Sequence, residues 1–327
     1  MKAWQLTGYG EPEDVMELAD VARPVPGSGQ VLVKVLAAAA NFPDVLMCRG
    51  TYQVRPPLPF TPGVELCGEV VEVGADVTGC AVGDRVIGGP ALPFGAFAEY
   101  SVLEAPRAFP APEVFDDAEA APFMITYQTG WFGLHRKARL AAGETLLVHA
   151  AAGGVGSGAV QLGKAAGARV IGVVGGPEKA ALARELGADV VVDRYAQDFV
   201  AVVKEVTNGR GADVVYDSVG GDAFRRSTKC IAFEGRIVVV GFASGEVPSA
   251  ALNHALVKNY DILGLHWGLY EQLKPTAIAD CHEELTRIAA AGLIRPLITE
   301  RLPLAGVPDG LRRLAAGSTA GRIVFQP

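Results

Sequence analysis

The stretch Leu147 to Gly158, LVHAAAGGVGSG, carries the most specific chemistry in the chain. An apolar run enters a glycine cluster, and a helix-forming segment follows. At Gly153, Gly154 and Gly156 the missing side chains let backbone N–H groups, that of Val155 among them, approach an anion. A helix that starts there adds the positive end of its dipole. The run Gly154-Val155-Gly156-Ser157-Gly158-Ala159 fits GxGxxA, a pyrophosphate cradle with alanine in the last place. The bland alternative is a tight strand–helix turn.

The next apolar run decides which dinucleotide such a cradle would hold. An NAD site places Asp or Glu near the end of the second strand, against the ribose 2′-hydroxyl. Here that strand ends Val173-Val174-Gly175-Gly176-Pro177, with no carboxylate. Gly175 leaves room, Lys179 follows at the next helix start, and Arg194 ends the third strand. Two cations and no acid suit a 2′-phosphate, so NADPH is the expected cofactor. Ordinary solvated cations are the alternative at both positions, and Glu178 would only complement a helix dipole.

These residues need a scaffold, and the pattern supplies one. Strand-like runs at Thr145 to His149, Arg169 to Val174, Asp189 to Val192, Asp213 to Tyr216, Arg236 to Val240 and Tyr260 to Leu265 alternate with helical segments. The clearest helices are Gly154 to Ala166, Glu178 to Leu186 and Ala196 to Val206. Apolar strands alternating with helices predict an α/β, doubly wound Rossmann domain with a parallel sheet covered on both faces. The first hundred residues read differently. Val31 to Val35, Val64 to Val73, Asp84 to Ile87 and Phe97 to Val102 are short strands between glycine or proline turns, which predicts a β-barrel. Asp116 to Leu140 has helical spacing, with a break expected around Thr129-Gly130. The tail carries helices at Ala277 to Ala291 and Val307 to Ala316 and a last strand at Arg322 to Phe325. It is too short for a comfortable domain of its own. The expected division is 1–120 with 267–327 as one domain and 121–266 as the dinucleotide domain.

Composition narrows the function classes. The 327 residues include 29 Lys and Arg against 36 Asp and Glu, a net charge of −7, which is the wrong sign for a polyanion binder. The five cysteines are odd in number and form no CxxC, which argues against a disulfide framework or a structural zinc site. The N-terminus turns polar too early for a signal peptide. Thr145 to Gly163 is uncharged and long enough to suggest a membrane span. Its His149, Ser157, Gln161 and glycines make it a strand, a turn and a buried helix instead. A soluble, cytoplasmic protein with no nucleic-acid or membrane partner is expected.

Several further motifs complete a pattern. They are NFPDVLMCRGTY (Asn41 to Tyr52), LPFTPGVELCGEV (Leu58 to Val70), VVYDSVGG (Val214 to Gly221), GRIVVVGFASG (Gly235 to Gly245) and GRIVF (Gly321 to Phe325). With the glycine cradle, the chain resembles the zinc-independent quinone oxidoreductase, or zeta-crystallin-like, branch of the medium-chain dehydrogenase/reductase superfamily over essentially its whole length. The resemblance implies a GroES-like β-barrel catalytic domain, a Rossmann domain and a homodimer. Zinc-dependent relatives place Cys at the position of Asn41 and His at that of Val64, and the lobe for a second zinc is missing around Gly89 to Ala98. No metal is therefore expected. By the same resemblance, Thr129 lies near the nicotinamide, Ser218, Phe242 and Ala243 line the cofactor, and Arg322 is a basic residue beside it. Its alternative is a solvated cation. Leu46, where some relatives carry tyrosine, makes the expected substrate pocket more apolar.

Hydride addition to a quinone or an enone puts negative charge on oxygen, which an amide N–H or a phenol O–H would stabilise. Asn41 and Tyr52 are the candidates, and Tyr52 matches the proposed proton donor of related enoyl reductases. Asn41 also reads as a helix N-cap, with Asp44 completing a capping box and Gly50 ending the helix. His149, Cys48 and Cys67 read as structural, and His266-Trp267 as bordering a cleft. The expected function is an NADPH-dependent quinone reductase acting on a small-molecule quinone. The alternatives are reduction of an activated alkene, an enone or an enoyl thioester held partly by Arg49 and Arg55, and a non-catalytic NADPH-binding sensor.

Overall fold

A computed structural model describes residues 1–327. The chain divides into two compact units, Met1–Ile125 with Pro296–Pro327, and Thr126–Arg295.

The first unit is built on strands. A hairpin pairs β1 (Lys2–Leu6) with β2 (Met16–Asp20). The main sheet contains β3 (Gln30–Ala39), β4 (Leu66–Val73), β5 (Arg85–Gly88), β6 (Tyr100–Glu104) and β7 (Phe109–Pro110). Two strands from the end of the chain complete it. Strands β8 to β13 lie in the second unit, so these two are β14 (Ile298–Pro303) and β15 (Arg322–Gln326). Their order is β14-β15-β3-β4-β5-β7, with β6 on β3. Long β3 is apolar almost throughout because it is covered on both faces. Val31, Val33, Val35 and Ala38 join Leu66, Phe97, Leu103 and Phe325 in one core. Pairing of β15 against β3 sets Val324 opposite Ala39. That register brings the start of β15 to the end of β3, where the chain enters the helix Phe42–Cys48.

The second unit is a six-stranded sheet in the order β10-β9-β8-β11-β12-β13. Its strands are β8 (Thr145–His149), β9 (Arg169–Val174), β10 (Val190–Asp193), β11 (Ala212–Asp217), β12 (Ile231–Val239) and β13 (Asp261–Gly264), and every pairing is parallel. Leu147, Ile171, Val192, Val215 and Ile237 fill its core with Phe199 and Phe224 from the crossover helices. The uncharged run Thr145 to Gly163 is β8, the glycine turn and the helix Gly154–Ala165. No helix is long and apolar enough to cross a membrane.

Two sequence expectations move. The helical break falls at Ala121-Pro122, between the helices Asp117–Ala120 and Phe123–Trp131, and not at Thr129-Gly130. Gly130 stays helical because it admits a neighbour: a Cβ there would lie 2.7 Å from Leu162 Cδ1 on the helix Gly154–Ala165. The second boundary falls after Arg295, where 267 was expected. Trp267 Nε1 donates to Gln128 Oε1 at 3.1 Å, Tyr270 stacks on Phe132 at 4.4 Å, and Arg295 N–H donates to Gln161 Oε1 at 2.6 Å. These contacts keep the helix Pro275–Ala290 with the sheet unit.

Candidate functional site

The candidate residues fall into two groups, one in each unit.

In the sheet unit, β8 ends at His149 and the chain turns through Ala150, which has φ of +51°. The helix Gly154–Ala165 then starts with Gly153 as N-cap and no side chain capping it. Its first-turn N–H groups therefore lack intrahelical acceptors and side-chain caps. Glycine is required at 156, where a Cβ would lie 2.1 Å from the Ala150 carbonyl oxygen. No acidic side chain stands in that first turn, so nothing there repels an anion. This donor set fits a pyrophosphate.

The ends of β9 and β10 meet beside it. Asp193 accepts from Gly176 N–H at 2.9 Å and Tyr195 N–H at 3.0 Å, fastening the Gly175-Gly176 turn to the loop after β10. Those backbone bonds hold the Asp193 carboxyl below its usual range. Arg194 lies over the Tyr195 ring at 5.0 Å and donates to its hydroxyl at 3.1 Å, which lowers the phenol's pKa. A Cβ on Gly175 would sit 3.1 Å from Arg194 Nε and 3.0 Å from the Tyr195 ring. Gly175 thus gives these two side chains their place. Burial lowers the pKa of Lys179, with the Arg194 charge acting in the same direction and Tyr195 against it. Lys179, Arg194 and Gly175 are neighbours. Tyr195 and Asp193 are additions that sequence reasoning missed.

Two loops complete this face. Asp217 at the end of β11 is fully buried and accepts from the N–H groups of Val219 and Gly220 at 2.9 Å. The Ser218 carbonyl accepts from Ala243 N–H at 3.1 Å, and a Cβ on Gly220 would meet the Phe242 ring at 2.7 Å. Ser218, Phe242 and Ala243 are therefore neighbours. Thr129 is 7 % exposed on the helix Phe123–Trp131, next to Gly130. His149 is buried between Ser227 Oγ at 2.8 Å and the Phe199 ring, and burial lowers its pKa, which agrees with a structural role.

In the strand unit, Asn41 caps the helix Phe42–Cys48, and its N–H donates to Asp44 Oδ2 at 2.8 Å. The Asn41 side chain turns inward. Its Nδ2 donates to Glu65 Oε1 at 2.9 Å and to the Ala39 carbonyl at 3.2 Å, and its Oδ1 accepts from Arg322 at 2.9 Å. Glu65 also accepts from Arg322 and, at 3.1 Å, from Ile125 N–H. Glu65 is fully buried, Asn41 is 3 % exposed and Arg322 is 4 % exposed. Burial raises the pKa of Glu65, against the pull of Arg322, Asn41 and the Ile125 N–H. Burial also pushes Asp44 up to about 8, opposed by the Asn41 and Gly63 N–H groups and by Arg322 and reinforced by Glu65.

This cluster revises two expectations. Both amide hydrogens of Asn41 are committed to internal acceptors, so Asn41 holds the frame and has none left for a substrate oxygen. Arg322 is not the solvated cation of the alternative reading, because it is buried and its charge is matched by Glu65. Glu65 was missed, because its partners lie 24 and 257 positions away in the chain. Tyr52 follows Gly50, whose φ of +64° ends the helix, and its ring packs partly buried on the core. Arg49 is bound by Glu11 through two hydrogen bonds of 2.8 Å, which removes it from any basic patch.

A GroES-like domain and a Rossmann sheet with this cradle define a class. The alcohol dehydrogenase GroES-like family matches residues 27–113 and the zinc-binding dehydrogenase family residues 154–283. The chain belongs to the medium-chain dehydrogenase/reductase superfamily. It is 39 % identical over 301 residues to the quinone oxidoreductase-like protein 2 homolog of Nematostella vectensis, covering 91 % of this chain and 82 % of that one. It is 38 % identical over 331 residues to the quinone oxidoreductase of Pseudomonas aeruginosa, covering 100 % and 99 %. The Escherichia coli quinone oxidoreductase solved with NADPH superposes with a TM-score of 0.91 at 31 % identity, covering all of both chains. Within the superfamily, the chain therefore falls in the quinone oxidoreductase branch.

The zinc in one family's description does not fit the residues present. No group of three His, Cys, Asp or Glu side chains is arranged to hold a metal ion. At Asn41 a cation would face the Arg322 guanidinium.

Proposed function

We propose that the protein is an NADPH-dependent quinone reductase. The observation that carries the cofactor assignment is the Arg194–Tyr195 pair, with Lys179, beside a second strand that is followed by Gly175-Gly176 and no carboxylate. Bound NADPH would supply a hydride. In this reading the first-turn N–H groups from Gly154 hold the pyrophosphate. Arg194, Tyr195 and Lys179 hold the 2′-phosphate, and Asp193 keeps their loop in register. Thr129, Ser218, Phe242 and Ala243 are the neighbours we assign to the rest of the cofactor. Tyr52 is the assigned donor to the developing oxyanion, since Asn41 is committed to Glu65 and Ala39. Reduction of an activated alkene uses the same parts, but a coenzyme A thioester loses the support of Arg49.

A homodimer through β13 belongs to this reading. That strand is the edge of its sheet, and the preceding helix Leu252–Lys258 exposes Leu252, Leu256 and Val257 to about three-quarters of their area. A cytoplasmic setting agrees with five cysteines outside any disulfide.

The test is cofactor discrimination. Arg194→Ala and Lys179→Ala should each lower kcat/KM for NADPH about tenfold, the effect of one lost charge-assisted hydrogen bond, and leave NADH unchanged. An NADPH to NADH ratio equal to that of the wild type in both variants would refute the assignment.

A further inference from the structure

Just beyond Tyr52 the chain builds a concavity in the strand unit, a groove of about 510 Å³. That is the size of a small-molecule site. Pro56, Pro57, Pro59 and Pro93 form much of its wall. Proline has no N–H to offer and a fixed φ, so this wall is preformed and poor in donors. Leu58 and Leu92 form its floor, anchored on the unit's core, and Val54 stands at its rim, 48 % exposed. The single charged side chain lining it is Arg55, whose Nε lies 3.4 Å from the Tyr52 carbonyl oxygen. An occupant with polar groups along its length would lose water there and gain few partners. An apolar chain would lose nothing.

We infer that this groove binds an apolar tail on the substrate, so that the enzyme prefers lipophilic quinones over small ones. The groove begins two residues after Tyr52, which places the tail beside the segment assigned to the reacting head. The inference rests on the proposed reductase reading for that head group; the groove itself does not depend on it.

The test uses 2-alkyl-1,4-benzoquinones from methyl to decyl. With wild type, kcat/KM should rise about twofold per methylene while the groove fills, which is half-burial of each group, and reach at least about tenfold overall. Val54→Asp puts a charge at the rim at an exposed position. It should bring the decyl to methyl ratio close to one. A wild-type ratio near one, or a ratio that survives Val54→Asp, would overturn the inference. Equilibrium dialysis of decyl-benzoquinone against both proteins separates the two claims. If no quinone turns over but decyl-benzoquinone still binds at least about tenfold more weakly to Val54→Asp, the reductase reading fails and the groove stands. Equal binding to both proteins rejects the groove whatever the turnover.

Discussion

Glu65 and Arg322 form a buried ion pair on which the frame around Asn41 depends, and a mutant cycle can measure it. Glu65 is fully buried and Arg322 is 4 % exposed, so neither charge reaches water. Glu65→Gln leaves the guanidinium in the interior with no counter-charge, which typically costs ~3–5 kcal/mol. The amide can still accept from Ile125 N–H, so we expect the lower end, about 3 kcal/mol. Arg322→Met leaves Glu65 without its cation, but Glu65 can take up a proton, and burial already raises its pKa. Its cost is then mainly the two hydrogen bonds to Glu65 and Asn41, about 2 kcal/mol. The double variant buries no charge, so it should cost less than the sum of the singles by at least about 2 kcal/mol. Urea unfolding followed by Trp4 emission reads the strand unit alone once Trp131 and Trp267 are replaced by phenylalanine. Trp4 lies in that unit, with its Nε1 on the Leu304 carbonyl. Additive costs, or a Glu65→Gln protein within about 1 kcal/mol of wild type, would refute the reasoning.

Asp44 sets a pH dependence. Its folded pKa of about 8 lies above the ordinary 3.8, so the folded state binds the proton more tightly across that interval. Stability should therefore fall as pH rises from about 4 to 8, and Asp44→Asn, which can still accept from the Asn41 N–H, should flatten the slope in urea titrations. A variant as pH-sensitive as wild type would contradict the assignment. At the sheet edge, Leu256→Asp introduces charge at a side chain 78 % exposed, so folding should be unaffected. Sedimentation should show a wild-type dimer and a variant shifted to monomer; a monomeric wild type would remove the edge assignment.

How much was legible in the sequence depends on how local each signal is. The bounds of β8 and β9 match the apolar runs Thr145 to His149 and Arg169 to Val174, because a fully buried parallel strand writes itself as a continuous apolar stretch. The glycine cradle was legible for a similar reason: steric exclusion at Gly156 acts on residues six positions away. The Asn41–Glu65–Arg322 cluster was not. Its members lie 24 and 257 positions from Glu65, and a terminal arginine beside a strand looks like any surface cation. Tyr195 was missed because nothing local distinguishes an exposed tyrosine from one that serves an arginine. The helix Pro275–Ala290 showed its apolar stripe but not which core that stripe covers. Contacts from Trp267, Tyr270 and Arg295 to residues more than a hundred positions upstream decide that.

The most direct test of the proposed function is anaerobic NADPH oxidation at saturating cofactor. An ortho-quinone and an enoyl thioester are run side by side, for wild type and Tyr52→Phe. The expected result is fast quinone turnover in wild type, slow thioester turnover, and a fall in quinone kcat of about tenfold or more when the phenol is removed. Tight NADPH binding with neither substrate turned over would contradict the reductase reading and leave a cofactor-binding sensor. Fast thioester turnover that collapses in Tyr52→Phe would move the substrate to activated alkenes.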